Sequence, residues 1–161
     1  MIVRPAAPDD RAAIRAVVVE AFGQSDEADL VEALRADGDA LVELAAEEGG
    51  RIVGHILFSP MASEPAASIA ALAPLAVVPS LQCRGIGAAL THAGLEACRA
   101  AGVEAVIVLG HPEYYPRFGF SAALAEQVDA PFSGPSFMAL ELKEGVLMTP
   151  RTLRYALAFG I

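Results

Sequence analysis

The chain has 161 residues, with 20 acidic side chains against 11 Lys and Arg and a formal net charge of −9, a balance that repels a phosphate backbone, argues against nucleic acid as a partner and weakly attracts amines. Hydrophobic residues make up 55% of it, much of that alanine, and no apolar run is long enough to span a bilayer. This length suits one domain, residues 1–161, whose core needs no disulfide or metal staples.

The opening "MIVRPAAPDD" lacks the basic end and apolar stretch of a signal peptide, so the cytoplasm is the expected compartment. Residues 2–4 form a short first strand. Asp9 and Asp10 start a helix whose apolar stripe is Ile14, Val17, Val18 and Phe22. Ser25 or Asp26 caps a second helix carrying Leu30, Val31 and Leu34. Residues 40–47 and 51–59 read as a hairpin around Gly49 and Gly50. The small-residue loop "ASEPAAS" leads into the strand "IAALAPLAVV". Pro74 interrupts that strand, and a proline there predicts a bulge or a lost partner, because it donates no ladder hydrogen bond. A helix follows with Ile86, Leu90, Ala93, Ala97 and Ala101 at helical spacing, closed by Gly102. Residues 103–110 are nearly all apolar, as in a strand covered on both faces. "HPEYYPRFGF" holds too many breakers for a long helix. Residues 136–142 and 152–159 read as a final strand pair, with Leu153, Tyr155, Leu157 and Phe159 on one face. The fold class is α/β, a mixed sheet with helices against it. Cys83 and Cys98 match neither a disulfide framework nor a zinc site, and no metal is expected.

"LQCRGIGAAL" at 81–90 stands between an apolar strand and a helix. Two readings are open: a tight turn, or a seat where unpaired amides at a helix start hold a diphosphate, with Arg84 adding charge. The dinucleotide fingerprint would place glycine at position 90, which is Leu90, and the Gly-Lys-Ser/Thr of a P-loop is absent.

A third phosphate loop fits better. "LAPLAVVPSLQCRGIGAAL" resembles the acetyl-CoA signature of the GCN5-related N-acetyltransferase (GNAT) superfamily: a strand ending in Leu-x-Val, a short loop, then Gln/Arg-x-x-Gly-x-Gly/Ala opening a helix. "HPEYYPRFGF" resembles the family segment in which a tyrosine lies four residues before Gly-Phe, here Tyr115 before Gly119-Phe120. The element order also agrees, and the resemblance covers essentially the whole chain. It implies the acyl-CoA N-acyltransferase fold: a central mixed, mostly antiparallel sheet splayed at the strand before the glycine loop, with helices on both faces. It further implies that acetyl-CoA is the co-substrate. Leu75, Ala76 and Val77 would line its pantetheine arm, and Gln82, Cys83, Arg84, Gly85, Ile86, Gly87 and Ala88 would hold its pyrophosphate.

The reaction implied is direct attack of a primary amine on the thioester. Tyr115 matches the position of the acid for the leaving thiolate, and a main-chain N–H near Val77 that of the oxyanion donor. Tyr114 reads as core. The proton acceptor stays open among Glu20, Asp26, Glu27, His111 and water. Cys83 sits where a helix start favours thiolate, but it has no assignable partner and is read as incidental. Loops 22–27, 60–68 and 143–151 are the expected borders of the acceptor pocket, for a polyamine, aminoglycoside or protein amine. Two alternatives share the fold: a transferase of another acyl-CoA, and a non-catalytic acyl-CoA sensor or partner subunit. The resemblance also implies a homodimer, common among relatives, with the last strands as the interface expected here.

Overall fold

The computed structural model describes residues 1–161. The chain runs β1 (Ile2–Pro5), α1 (Arg11–Phe22), α2 (Asp26–Ala36), β2 (Val42–Glu48), β3 (Arg51–Glu64), β4 (Ile69–Val77), α3 (Ile86–Ala100), β5 (Ala105–Leu109), β6 (Val128–Asp129), β7 (Phe137–Glu141) and β8 (Arg151–Arg154). The main sheet has the order β1-β2-β3-β4-β5-β7, and β8 joins it through the far end of β3. Every pairing on that path is antiparallel except β4 with β5.

Successive side chains of a strand point to opposite faces, so each face of the sheet needs its own cover. Ile14, Val17 and Val18 of α1 pack with Ala45, Ile52 and Ala76 on one side. On the other, α3 lies against Gly54, Ile56 and Phe58 of β3. A side chain at Gly94 would overlap the Phe58 ring, so this glycine sets how closely α3 approaches the sheet. The buried side of α3 is Ile86, Leu90, Thr91, Gly94, Leu95 and Cys98. That side is rotated from the alanine stripe read in the sequence, because Leu95 and Cys98 bury more area than Ala97 and Ala101. Phe22, expected on the α1 stripe, is exposed at the helix end.

The pairing of β4 decides what the fold can do. Ile69, Ala70 and Ala71 pair with Ala105, Val106 and Ile107 of β5, and the ladder stops there. Residues 72–77 keep β3 alone as a neighbour. Between Ile56↔Leu75 and Phe58↔Leu72 one residue of β3 opposes two of β4, Ala73 and Pro74. This is the bulge predicted from Pro74, and a bulge bends its strand and increases the local twist. Meanwhile β7 pairs with β5 along its full length, from Ala105↔Glu141 to Leu109↔Phe137, and holds it on the other side. The sheet therefore opens into a gap between β4 and β5.

Two expectations fail near the C-terminus. β3 extends to Glu64 through residues read as loop, because β8 pairs with it at Ala62, Ser63 and Glu64. Residues 152–159 are not one long strand paired with 136–142. β8 ends at Arg154, a 3-10 turn covers Leu157–Phe159, and Leu157 is 93% exposed while Leu153 is buried. The same edge of β3 is taken by β2 up to Phe58, so only a short length is left for β8. No helix is long and apolar enough to cross a membrane.

One charged cluster is buried on the helix-covered side of β3. Glu43 of β2 accepts from Arg35 Nη2 of α2 at 2.6 Å, and His55 Nε2 lies 2.7 Å from its Oε2. An ionised carboxylate only accepts, so Nε2 carries the proton. Nδ1 of the fully buried His55 has no partner. Burial pushes the Glu43 carboxyl up, but the hydrogen bonds from His55 and Arg35 outweigh it and hold it down at about 2. A depressed carboxyl stabilises the fold above its unfolded value and loses that contribution as pH falls through the folded one. Glu43→Gln is expected to cost about 3 kcal/mol in denaturant unfolding at pH 7, since it strands Arg35 and His55. The gap between wild type and variant should shrink from pH 4.5 toward pH 2; a gap constant over that range would show that the carboxylate does not carry the stability.

Candidate active site

β4 ends at Val77, and the chain turns through Pro79–Leu81 before entering α3. Cys83 and Gly85 both take the left-handed conformation, at φ 62 and 85. This region favours glycine, and a non-glycine residue in it is uncommon. The two reversals bring the chain round so that the start of α3 faces the open side of β4. The amides of residues 83–88 donate to no main-chain carbonyl or side chain; the helical ladder begins with Ala89 N–H to Gly85 O at 3.0 Å. A row of free donors at the positive end of a fifteen-residue helix is a seat for an anion.

The β4 edge supplies the second half. Val78 N–H donates to Val53 O at 2.9 Å. Main-chain groups alternate along a strand, so the Val77 N–H and C=O face away from β3, into the gap. Gln82 Nε2 donates to Val77 O at 3.0 Å and leaves the N–H free. Past Ala71, then, β4 offers an unpaired edge that an extended partner can join.

Between these edges lies a cleft of about 500 Å³. Leu75 and Val77 form its β4 bank, and Gln82, Cys83, Gly85, Gly87 and Ala88 its loop bank. Three residues named from the motif point elsewhere. Ala76 is buried against α1, Ile86 is buried under α3, and Arg84 is exposed outside the cleft lining. Tyr115 lines the far bank, and its neighbours there are His111, Tyr114 and Arg117. The sequence reading left Arg117 out and placed Tyr114 in the core. The signal for Arg117 was its position two residues past Tyr115 in a breaker-rich segment. Its Nε donates to Tyr114 O at 3.1 Å and its guanidinium lies 4.6 Å over the Tyr114 ring.

Tyr115 is buried, in edge-to-face contact with Tyr114 at 5.1 Å and Phe120 at 5.7 Å. Burial, and then the neighbouring Tyr114, push its hydroxyl up to about 12, so it remains a proton donor at neutral pH. Of the groups weighed as proton acceptor, only His111 lines this cleft. Glu20 lines a separate surface cavity with Arg51, and Asp26 and Glu27 line another between α2 and Phe159.

The model described as the Acetyltransferase (GNAT) family matches residues 10–120. The chain belongs to that family. The GNAT domain match spans α1 to the Gly119-Phe120 pair, and so contains both banks of the cleft. N-acetyltransferase YjhQ of Escherichia coli strain K12 is 39% identical over 153 residues, covering 89% of this chain and 83% of that protein. The crystal structure of the GNAT family N-acetyltransferase YhbS from Escherichia coli in complex with CoA superposes with a TM-score of 0.92 at 30% identity, over 99% of this chain and 92% of the other. A GNAT family acetyltransferase from Brucella melitensis in complex with acetyl-CoA gives 0.84 at 35% identity, over 98% and 97%. The mixed, mostly antiparallel sheet with helices on both faces is thus the GNAT fold expected from the sequence.

The chain has three tyrosines and no tryptophan, so phenol ionisation is directly readable by absorbance at alkaline pH. Burial raises all three above the ordinary value, Tyr115 and Tyr155 to about 12. Titration should show all three phenols ionising later than an ordinary tyrosine, two of them near pH 12, and Tyr115→Phe should remove one of those two late steps. An ordinary titration assigned to Tyr115 would mean that its ring is not seated as described.

Proposed function

We propose that this GNAT protein transfers the acetyl group of acetyl-CoA to a primary amine by direct attack on the thioester. One observation carries the reading: the free amides of residues 83–88 stand beside the unpaired 72–77 edge of β4. A paired phosphate needs the first and an amide-bearing arm needs the second, so the residues present fit acetyl-CoA.

The amides from Cys83 to Ala88, with Gln82 fixing the turn, hold the pyrophosphate. Arg117, whose terminal nitrogens make no protein hydrogen bond, adds positive charge at the opposite bank, and Arg84 stands outside. The edge at Leu75 to Val77 takes the pantetheine amides. Acetyl-CoA supplies an acyl group already activated as a thioester. The free Val77 N–H is the donor placed for an oxygen that gains charge. The Tyr115 hydroxyl, kept protonated by burial, gives its proton to the departing sulfur. An ammonium has no lone pair and must lose a proton before attack. His111 is the titratable group in the cleft that can take it, directly or through water. No carboxylate lines the cleft, so nothing there selects a polycation over a monoamine.

The test is calorimetric binding of acetyl-CoA, followed by release of free thiol in the presence of a panel holding a polyamine, an aminoglycoside, a peptide N-terminus and water alone. Micromolar binding with amine-dependent thiol release is the expected result. Binding without release from any amine would favour the sensor reading, and no binding would remove acetyl-CoA altogether. Tyr115→Phe should lower kcat about a hundredfold while moving the acetyl-CoA Kd less than about threefold, as for loss of a general acid. An unchanged kcat would take Tyr115 out of the mechanism.

The two thiols report on the seat directly. Cys83 is exposed on the loop bank, and Cys98 is buried with its thiol pushed up to about 12 by that burial. Iodoacetamide should modify Cys83 first, and saturating acetyl-CoA should slow that reaction at least about tenfold while Cys98 stays slow throughout. Equal Cys83 rates with and without acetyl-CoA would place the co-substrate elsewhere.

A further inference from the structure

Two glycines lie on opposite banks of the gap, and backbone conformation requires neither. Gly87 is in the first turn of α3 and Gly110 follows the last residue of β5; neither has positive φ. The cause is what a side chain would meet. A Cβ on Gly87 would lie 2.8 Å from Tyr114 Oη. A Cβ on Gly110 would overlap the Tyr115 ring, 2.9 Å from its Cδ2. Each tyrosine therefore fills a notch left by one glycine, Tyr114 on the α3 bank and Tyr115 on the β5 bank.

The Tyr114 notch is bordered by α3 and by the β4 edge. Thr91, buried one turn along α3, donates through Oγ1 to Gly87 O at 2.8 Å, fixing the turn that forms the notch, and stands beside the Tyr114 hydroxyl. Val77 Cγ2 and Leu75 Cδ2 lie 3.8 and 3.9 Å from the same Cβ position, so the notch borders the free β4 edge. From there the Tyr114 ring reaches across to Tyr115 at 5.1 Å and to Phe118 at 5.3 Å. Its far face is covered by Arg117.

We infer that Tyr114 is a positioning residue: its hydroxyl, seated in the Gly87 notch, sets the separation between the first turn of α3 and the Tyr115 hydroxyl on the far bank. This rests on the cleft being the acetyl-CoA site. Gly87 thus has a task apart from anion binding, because the space its missing side chain leaves is filled by protein. The second tyrosine of the "YY" pair is the proton donor and the first is the spacer that aims it. Aiming matters because a displacement of about 1 Å in a reacting group can cost about a hundredfold in rate.

The test compares Tyr114→Phe, Gly87→Ala and the double variant. It measures acetyl-CoA Kd from quenching of tyrosine fluorescence, kcat from thiol release with the fastest acceptor of the panel above (water included), and folding from thermal circular dichroism. Tyr114→Phe should lower kcat about tenfold with Kd within about twofold of wild type. Gly87→Ala should lower it further, because its methyl drives the hydroxyl out. Removing that hydroxyl relieves the clash, so the double variant should match Tyr114→Phe alone. Wild-type kcat in Tyr114→Phe overturns the inference, as do losses that add in the double variant. A rise in Kd together with the fall in kcat would make Tyr114 part of the cofactor seat and overturn the inference. Failure of the wild type to bind acetyl-CoA is a separate result, which overturns the reading of the cleft and this inference with it.

Discussion

Everything distinctive about this molecule follows from a hydrogen-bond ladder that stops early. After Ala71 and Ile107, β4 and β5 part, and each continues with its other neighbour. Unpaired main-chain groups inside a fold are costly, so the opening persists only because both strands are held from outside. The Ala73–Pro74 bulge bends β4 just past the point where its ladder with β5 ends, and the full β7 ladder keeps β5 where it is. What would be a defect in a storage protein is here the open edge on which the proposed coenzyme site rests.

The glycine loop completes that edge because α3 is docked so firmly. Phe58 fits against Gly94 in the middle of the helix, and Leu90 and Ile86 close over Gly54 nearer its start. These contacts fix where the first turn points, and hence where the free amides of residues 83–88 converge. An anion site made from main chain carries no side-chain charge to neutralise, which suits a protein of net charge −9. Of the cations near it, Arg117 alone lines the cleft.

Local rules made the core of this arrangement legible before any coordinates. Pro74 announced the bulge because proline cannot donate, and the strand–glycine–helix order left a tight turn and an anion seat both open until the family resemblance favoured the second. Tyr115 was singled out only by the resemblance of its segment to the family's, and the structure places it on the cleft lining. The errors share one cause, which is dependence on partners that a linear pattern does not name. The alternation at Leu153, Tyr155, Leu157 and Phe159 suits a strand, but the segment pairs with Ala62 to Glu64 of β3 only as far as Arg154 and then turns through Leu157–Phe159. The α3 stripe was drawn through alanines, while Thr91, Gly94 and Cys98 are what the sheet receives. His55 lies in mid-strand and is locked to Glu43, twelve positions away, and through it to Arg35, a link no local pattern names. Tyr114 and Tyr115 look alike as letters, and only the notches that receive them tell their work apart.

β3 carries a consequence of its own. Its fourteen residues serve β2, β4 and β8 in turn, so both the N-terminal and the C-terminal portions of the chain are tied to one rod. The mouth of the cleft hangs from the same rod through β4. The outer loops can then vary, as one might refit the brackets on a beam, without disturbing the span from which the cleft hangs.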